Sequence, residues 1–515
     1  MQHQRQPLRE SSHALLAGTG RRCINPPPNI AHGGWGAQKH EQAEGIDLDL
    51  WATALALSDG KTTALILDID IQILTNQRAD ELRAAASRAT GVPIENIRAC
   101  ATHTHSGPVP YKSWIEKGYD LVDPWFDNLA RWSAEAASEA IAALQPVEVR
   151  VGRGACAINA NRRCVTATGE RFLGVNLEAA CDREVIVVRF DVAASASEPT
   201  STAEHRLAGA RRYEPLVTLV NYACHATIMG PANRLITPDY PGAMKRVVES
   251  AVGGRCVFLQ GSAGNVGPVQ GFQANPLVYR QLGAVLGHEI ARIALALTSV
   301  PPNPQLREIV PSGAPLGMFD AEFPIVPGAP VQVRSLEIPV PLRTGLPEKK
   351  AAAEQLAHWK AKLQAARAAH DEAGITEAIY RARRADIQLR MADDFGGKRD
   401  AAVRAHLITF GDIALVGCNI EPFFEIGLAV KRGSPFPATF MCGYTNGRMA
   451  YLPTADEWTK GGYEVENSPF GQNAAEVLQR ELLATLRAMR ATELGTQSSQ
   501  RLHRGHRGQS WRAQK

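Results

Sequence analysis

The chain has 515 residues, of which 45% are hydrophobic and 21% are charged, and its formal net charge is +4. A chain of this length and composition buries a large core without disulfides, and its small net charge does not favour a nucleic-acid partner. The nine cysteines are scattered without a C-x-x-C pair, which argues against a disulfide framework or a cysteine zinc ribbon.

Both ends of the chain are predicted to be disordered. Residues 1–16 are polar and basic and lack the apolar core of a signal peptide, so we expect a cytoplasmic protein. Residues 493–515 are rich in arginine and predict a disordered basic tail. No apolar run between them approaches the length of a transmembrane segment. The sequence does not indicate the oligomeric state.

Apolar periodicity and turn residues predict an alternation of strands and helices. Glycine and proline dominate residues 17–36, which predict a turn-rich start, with a loop wall rather than a phosphate cradle at 33–36. Apolar segments at 48–57 and 62–74 flank a Ser-Asp-Gly-Lys turn and predict a β-hairpin. The further predicted elements are a helix at 75–90, a strand at 94–101, a helix at 124–144, strands at 148–158, 184–191 and 216–223, a helix at 243–252, a strand at 256–260, a helix at 282–297, strands at 331–338, 407–410, 413–416 and 440–444, and a helix at 473–489.

The segment 348–394 differs in amino-acid composition from its surroundings. It has Ala, Lys, Arg, Glu and Gln at helical spacing, and it predicts two exposed helices that are broken near Gly374. We interpret it as an inserted helical hairpin. The predicted fold class is therefore α/β, with mixed β-sheets flanked by helices and one helical insertion.

Two aspartates, Asp68 and Asp70, lie within the apolar strand that ends the predicted hairpin. A carboxylate inside an apolar strand is costly unless it is paired or bound to a metal. Hydrogen bonding to a neighbouring loop and a role in a site are about equally compatible with the sequence, which leaves a second ion near these residues open.

Metal-ligand residue types stand at the ends of four predicted strands. His103 and His105 follow one strand at i, i+2 spacing, which places both imidazoles on one face. His225 and Glu421 follow two others, and Tyr451 lies near the end of a fourth. Two or three histidines with one carboxylate are a typical catalytic zinc set, to which a tyrosine adds a weaker ligand or an oxyanion donor. Such a zinc lowers the pKa of bound water to about 7 and suits amide hydrolysis.

Each of these residues also has a simpler explanation. The histidines can be strand-end residues that hydrogen-bond locally, and Glu421 can be a carboxylate at a helix start. Taken one at a time, the simpler explanations are favoured. The recurrence of the pattern at four strand ends favours the metal.

The chain resembles the neutral/alkaline, non-lysosomal ceramidase family over most of residues 17–490. The motifs that carry the resemblance are ATHTHSGP (101–108), NANRR (159–163), DREVIVVRF (182–190), NYACHATIM (221–229), TPDYPG (237–242), QGSAGNVGP (260–268), NIEPFFEIG (419–427), NGRMAYLPT (446–454) and GGYE (461–464). The resemblance implies that 17–492 is a ceramidase-type catalytic domain. It also implies a zinc amidase that cleaves an N-acyl compound by attack of a zinc-bound water.

The resemblance assigns roles residue by residue. His103, His225, Glu421 and Tyr451 match the family's zinc ligands. The residues that match groups contacting the reacting carbonyl or its oxyanion are His105, Arg162 and Tyr463. Asp239, in the loop after the second histidine, is expected to orient that histidine.

The chain departs from the family on the substrate side. Gly267 stands where the ceramidases carry a serine, and Arg448 replaces the first tyrosine of a Tyr-x-x-Tyr pair. We therefore expect a small-molecule or lipid N-acyl substrate, of which ceramide is one candidate. The alternatives are a ligand-binding homologue without turnover and a zinc hydrolase of a small non-lipid amide or ester. A small polar pocket around Arg448 and Arg162 would favour a compact anionic substrate.

Overall fold

The computed structural model describes residues 15–112, 115–192 and 214–509, with side chains as far as residue 493. The helices in these ranges are α1 Asn76–Thr90, α2 Val122–Ala142, α3 Asp239–Val252, α4 Pro276–Ser299, α5 Lys349–Ala368, α6 Glu372–Phe395, α7 Phe424–Gly433, α8 Ala455–Thr459, α9 Tyr463–Glu466 and α10 Ala474–Gln509. The strands are β1 Leu16–Cys23, β2 Gly45–Ile46, β3 Trp51–Ser58, β4 Thr63–Ile69, β5 Ile97–Ala101, β6 Gln145–Ala155, β7 Asn159–Val165, β8 Arg171–Asn176, β9 Glu184–Val192, β10 Glu214–Tyr222, β11 Leu235–Ile236, β12 Arg255–Gln260, β13 Val266–Pro268, β14 Gln305–Val310, β15 Leu316–Asp320, β16 Gln332–Pro341, β17 Asp400–Phe410, β18 Ile413–Cys418, β19 Glu421–Pro422, β20 Ala438–Cys442 and β21 Tyr451–Leu452.

Two mixed sheets form the centre of the fold. The larger has eight strands in the order β12-β10-β9-β6-β1-β3-β4-β5, and the smaller has four in the order β16-β17-β18-β20. The pairs β4–β5, β10–β12 and β18–β20 are parallel, and the other neighbours in these two sheets are antiparallel. The predicted class of mixed sheets flanked by helices is confirmed.

The two sheets pack face to face between outer layers of helices. On β3, Leu55 and Leu57 contribute to the core shared with the smaller sheet, whereas Ala54 belongs to the core under α1 and α2. On β18, Leu415 faces the larger sheet and Val416 faces α7 and α10. This alternation is the period of two that a strand with both faces buried requires.

The turn-rich start predicted for 17–36 is wrong in its first part, where β1 is a central strand of the larger sheet. Its glycines fit the packing of α2 on the sheet. A Cβ atom at Gly18 would lie 2.1 Å from the carbonyl oxygen of Ala140, and one at Gly20 would lie 2.2 Å from that of Ala136. These glycines therefore permit close approach of the helix rather than a turn.

The predicted helical hairpin is present as α5 and α6. The chain turns between them at residues 369–371, slightly before the predicted break, and Asp371 caps α6 by accepting a hydrogen bond from the amide of Gly374 at 3.0 Å. Between the predicted helix at 282–297 and the predicted strand at 331–338, where the sequence predicts no element, the structure contains the β14–β15 hairpin. The last helix continues past its predicted end and is assigned to Gln509, within the predicted tail.

Two expectations from composition can be compared with the structure. All nine cysteines are free, as expected in the absence of a disulfide framework. Contrary to expectation, one helix in the described part of the chain, α4, is long and apolar enough to cross a membrane, with a mean hydropathy of 1.2. The face of α4 that carries Gly283 and Gly287 packs closely against α3. Helices in protein cores can have the same length and apolar composition as a membrane span. The helix is therefore weak evidence for a membrane span.

Candidate metal centre and its cavity

The strand ends that carry the candidate ligands converge in the structure. His103 follows β5 by two residues, and His225 follows β10 by three. Glu421 follows β18 by three residues and stands opposite Tyr451 in the parallel β19–β21 pair. An isolated bridge joins β5 to the segment after β20, so the edges of the two sheets meet there. His103, His105, His225 and Glu421 lie together at this meeting point.

The distances between these side chains are those of a single cluster. The Nε2 atoms of His103 and His225 lie 2.9 Å apart, and that of His105 lies 3.2 Å from that of His103. Oε2 of Glu421 lies 3.7 Å from Nε2 of His103 and 3.6 Å from Nε2 of His225. The three imidazoles each offer a nitrogen within 4.8 Å of the others.

Hydrogen bonds to the backbone fix the tautomers of two of these histidines. Nδ1 of His103 donates to the carbonyl of Gln72 at 2.7 Å, and Nδ1 of His225 donates to that of Ala263 at 2.7 Å. Burial lowers the pKa of His103 to about 4 and lowers the pKa of His225 well below its usual value. Both rings are therefore neutral at pH 7, and their Nε2 lone pairs face each other.

Such an arrangement favours a bound cation. Two imidazole lone pairs 2.9 Å apart, next to a carboxylate, repel one another unless a positive charge lies between them. Neutral imidazole and carboxylate are ligands that zinc accepts, and each of these histidines has the backbone partner that metal-bound imidazoles usually have. The donor set of His103, His225 and Glu421 therefore fits a zinc ion.

His105 differs from the other two histidines in its hydrogen bonding. The side-chain amide of Gln72 lies 3.1 Å from its Nδ1 and donates to it, which leaves the hydrogen on Nε2. Trp35 packs against the ring with 4.9 Å between centroids. His105 thus presents an N–H to the centre, whereas His103 and His225 present lone pairs.

Backbone strain is concentrated at this edge. His103 has a φ of 72° and Tyr444 a φ of 52°, in the left-handed region that residues other than glycine rarely adopt. The amide of His103 donates to the carbonyl of Ile71 at 2.9 Å, so the turn that carries the imidazole is held on the backbone as well as on the ring. Strain of this kind persists where the surroundings over-determine it, commonly at functional sites.

Glu421 has two further partners. Nε of Arg448 donates to its Oε1 at 2.7 Å, and the hydroxyl of Tyr444 donates to its Oε2 at 3.2 Å. Burial raises the pKa of Glu421, but the charge of Arg448 and its hydrogen bond oppose that effect, and the pKa lies below its usual value. Glu421 is therefore ionised, with Oε2 directed at the histidines. Arg448 was predicted to contact the substrate, but in the structure its guanidinium is paired with this carboxylate.

The motifs NANRR and GGYE pack against each other beside the centre. Glu464 accepts from Nε of Arg162 at 2.9 Å and from Nη1 of Arg163 at 2.7 Å. The guanidinium of Arg162 lies 5.5 Å from the centroid of the Tyr451 ring, and its buried Nη2 has no hydrogen-bond partner. The ring of Tyr463 lies 5.9 Å from that of Tyr451. Arg162, Tyr451 and Tyr463 are thus neighbours, as the sequence predicted.

Asp239 does not orient His225, and that prediction is wrong. The Nδ1 partner of His225 is the carbonyl of Ala263, whereas the carboxylate of Asp239 accepts from the amides of Met229 at 2.9 Å and Tyr240 at 2.6 Å. Asp239 has a φ of 57° and begins α3. It holds the backbone of the loop after the second histidine instead of the ring.

Comparison with known proteins adds sequence and structural likeness. The chain is 26% identical to the neutral ceramidase of Pseudomonas aeruginosa over 240 residues, which are 44% of this chain and 33% of that protein. Its structure is similar to the crystal structure of neutral ceramidase from P. aeruginosa, with a TM-score of 0.62 and 17% identity, covering 93% of this chain and 75% of that one. A ceramidase complexed with C2 has a TM-score of 0.63 at 17% identity, with 93% and 76% covered.

The chain is thus similar to neutral ceramidase in part of its sequence and in its fold. The resemblance predicted from the motifs is thereby confirmed, and so is the ceramidase-type fold. The aligned sequence spans only 33% of the length of the curated relative. The structural similarity, at 17% sequence identity, is a similarity of fold. No protein-family model matches the chain.

Gly267, which the motif resemblance matches to a ceramidase serine, lies on β13 beside the segment that carries His225. The preceding residue, Val266, accepts a hydrogen bond from the amide of His225 at 3.0 Å. A Cβ atom at Gly267 would lie 3.5 Å from Cβ and 3.6 Å from Cδ of Arg162, which is ordinary van der Waals contact. The backbone at Gly267 therefore has room for the Cβ atom of a larger residue.

A cavity opens from the histidines toward solvent. It has a volume of about 80 Å³ and is bounded by the 33–36 loop, the segment after His105 and the insertion helix α6. The predicted loop wall is present in Gly33 and Gly34. The charged residues that line the cavity are Arg383, Asp386, Arg390, Glu421 and Arg448. The cavity is smaller than the ~300–1,000 Å³ of common small-molecule pockets, so it admits only part of a large ligand.

Asp68 and Asp70 lie apart from this centre and already have a cation. Nζ of Lys245 lies 2.7 Å from Oδ2 of Asp68 and 3.0 Å from Oδ1 of Asp70. Asp68 also accepts from the amide of Phe258, and Asp70 from that of Trp51. The ammonium group of α3 thus takes the place that the sequence left open for a second ion.

Proposed function

We propose that this protein is a zinc-dependent hydrolase that cleaves the amide bond of an N-acyl compound. The observation that carries the proposal is the pair of neutral imidazoles, His103 and His225, whose Nε2 lone pairs face each other beside the ionised Glu421. The likeness to neutral ceramidase supports the choice of an amide as the bond that is cleaved.

The roles of the chain's own residues follow from their hydrogen bonds. His103, His225 and Glu421 would hold the zinc, with Tyr451 as an additional ligand. When bound, zinc lowers the pKa of water and polarises a carbonyl. His105 donates its Nε2–H toward the oxygen of the reacting carbonyl, and the free Nη2 of Arg162 is a second donor to developing negative charge.

The remaining groups position these donors. Glu464 holds both arginines of the NANRR motif, so Arg162 cannot turn away from Tyr451. Tyr463, at the wall of the cavity, is placed to hydrogen-bond the leaving amine or the carbonyl. Arg448 keeps Glu421 ionised, which preserves it as a ligand at mildly acidic pH.

A second candidate function is ligand binding without turnover. Gly267 replaces the family serine, and Arg448 occupies one oxygen of Glu421, so this site differs from that of the ceramidases at two positions. The small cavity of about 80 Å³ favours a third candidate, a hydrolase of a compact non-lipid amide or ester. Turnover of defined substrates separates the three.

The test is metal analysis of protein purified without added metal, combined with hydrolysis of N-acyl amides that include ceramide, short-chain amides and matched esters. We expect about one zinc per chain, turnover of an amide and loss of turnover with a chelator that zinc restores. Full zinc without turnover of any amide or ester favours the binding protein. Turnover that persists in metal-free protein contradicts a zinc hydrolase.

Gly267→Ser is expected to leave the fold intact. The added Cβ meets Arg162 at no less than 3.5 Å, so the melting temperature should change by less than about 2 °C, as for a surface substitution. Gly264→Ser is the matched control, because its Cβ would lie 2.7 Å from the carbonyl oxygen of Glu421. That variant should lose about 1–3 kcal/mol of stability. Equal melting temperatures for the two variants would contradict the described packing of this loop.

The same serine variant also bears on catalysis. In the proposed mechanism the donors are His105 and Arg162, which do not require a serine at 267. Wild type should therefore already hydrolyse its preferred amide, with Gly267→Ser within about tenfold of its rate, which corresponds to one ordinary hydrogen bond. Amide hydrolysis that is seen only in the serine variant would show that the natural chain is the binding homologue.

A further inference from the structure

The inserted hairpin α5–α6 contributes a wall to the cavity at the metal centre. Helix α6 places Arg383, Asp386, Ile387 and Arg390 at the lining, opposite the histidines and Glu421. The insertion was predicted as two exposed helices, but one of them, α6, also reaches the site.

Two of the three arginines at the cavity have carboxylate partners. Arg390 pairs with Asp386 and lies over the ring of Tyr111, 4.2 Å from its centroid. Arg448 pairs with Glu421 through Nε at 2.7 Å and Nη2 at 2.6 Å. Among the described residues, no carboxylate lies within ion-pair distance of Arg383 and no hydrogen bond is made by its guanidinium. Three arginines against two carboxylates leave one positive charge facing the cavity.

The position of Arg383 is fixed along its stem. A Cβ atom at Gly36 would lie 3.4 Å from Cδ of Arg383, so the aliphatic part of the side chain packs on the glycine-rich loop. The stem thus packs on this loop while Arg383 also lines the cavity. A half-buried guanidinium without a partner is costly, and its planar fork matches an oxyanion.

We propose that Arg383 binds an anionic group of the substrate, a carboxylate or a phosphate, that lies near the scissile amide. The inference rests on the proposed amide hydrolysis and specifies its substrate class as N-acyl compounds that carry an acid. A neutral lipid amide would leave the guanidinium unpaired. An acidic one would give it a partner of opposite charge.

The test uses three amides with the same octanoyl chain: N-octanoylethanolamine, which is neutral, N-octanoylglycine, which carries a carboxylate, and N-octanoylphosphoethanolamine, which carries a phosphate. Arg383→Gln is compared with wild type and with Arg381→Gln. Arg381 is the matched control, because it is an exposed arginine of the same helix that pairs with Glu377 and lies outside the cavity. Melting temperatures establish that each variant is folded.

In wild type, one acidic amide should exceed the neutral amide in kcat/KM, and that amide identifies the anion as carboxylate or phosphate. Arg383→Gln should lower the ratio of acidic to neutral kcat/KM about 10- to 100-fold, the value of a charge-assisted hydrogen bond. Arg381→Gln should leave the ratio unchanged. A ratio that Arg383→Gln does not lower overturns the proposal, even if the neutral amide is hydrolysed.

Binding separates this inference from the proposed function. Calorimetry with N-octanoylglycine and N-octanoylphosphoethanolamine requires no turnover. If no amide is cleaved but wild type binds one acid at least about tenfold more tightly than Arg383→Gln, the anion site stands and the hydrolase fails. If neither turnover nor binding depends on Arg383, the anion site is overturned.

Discussion

Replacing His103 or His225 with alanine is expected to remove zinc from the protein and to abolish amide hydrolysis. Each variant lacks one of the two lone pairs that face each other 2.9 Å apart, and the remaining imidazole and carboxylate bind a divalent ion weakly. Zinc content should fall from about one per chain to a small fraction after dialysis, and kcat/KM should fall at least about 1,000-fold. Metal analysis and the hydrolysis assay measure the two effects on the same samples.

Two further histidine variants sharpen this test. His358→Ala is the control, because His358 is an exposed residue of the insertion and should alter neither zinc nor rate. His105→Ala should keep zinc but lose about 100- to 1,000-fold in kcat, since its Nε2 carries a hydrogen and acts as a donor. Full zinc in both His103→Ala and His225→Ala would exclude the proposed ligand set. Loss of zinc in His105→Ala would make His105 a ligand.

The convergence of this site was predictable because it depends on strand ends. Each candidate ligand follows the end of a buried strand, and loops at strand ends commonly carry functional residues. His103 and His225 follow strands that run in opposite directions in the larger sheet, Glu421 follows a strand of the smaller sheet, and the distances between their side chains show that they converge. Their roles as ligands stay a prediction that the metal analysis tests.

The partners of these residues were not predictable from the sequence. Gln72 contributes its carbonyl to His103 and its side chain to His105, and Tyr444 stacks on His103 with 3.9 Å between centroids. Both lie in segments that the sequence describes only as strand ends. Asp239 was assigned to the wrong partner for the same reason, because nearness along the chain does not determine which group meets an imidazole. Every residue has a backbone carbonyl, so the sequence cannot indicate that the carbonyl of Ala263 is the partner of His225.

The fold was predictable where periodicity is strong. The β3–β4 hairpin and α1 were expected and are present, and Thr75 caps α1. The start of the chain was missed because glycines in β1 permit the packing of α2, a contact between segments more than a hundred residues apart. Local sequence describes such glycines equally well as turns.

The largest effect on stability is expected for Lys245→Met. Lys245 is buried with Asp68 and Asp70, and no other cation lies within ion-pair distance of either carboxylate among the described residues. Methionine keeps the volume of the side chain but leaves two carboxylates buried without a counter-charge. Breaking a buried pair by removal of one partner costs about 3–5 kcal/mol. Chemical denaturation at pH 8 should show a loss of this size.

The loss should shrink as the pH falls. Burial raises the pKa of Asp68 even in the presence of the Lys245 charge, which lowers it, so removal of that charge raises the pKa further. A carboxyl group whose pKa is raised on folding favours the folded state below its ordinary pKa of about 4 and loses that contribution as the pH rises. The variant should therefore be closest to wild type in acid, where Asp68 is protonated, and furthest from it at pH 8.

Lys349→Met provides the control for this prediction. Lys349 also pairs with an aspartate, Asp393, at 2.7 Å, but 73% of its side chain is exposed. Water already solvates both charges of that pair, so its loss should cost less than about 1 kcal/mol and should vary little with pH. A Lys245→Met variant that behaves like Lys349→Met would mean that Asp68 and Asp70 find other compensation. One such compensation is a metal ion bound by the two carboxylates. In that case a chelator should lower the stability of Lys245→Met by the predicted amount, about 3–5 kcal/mol.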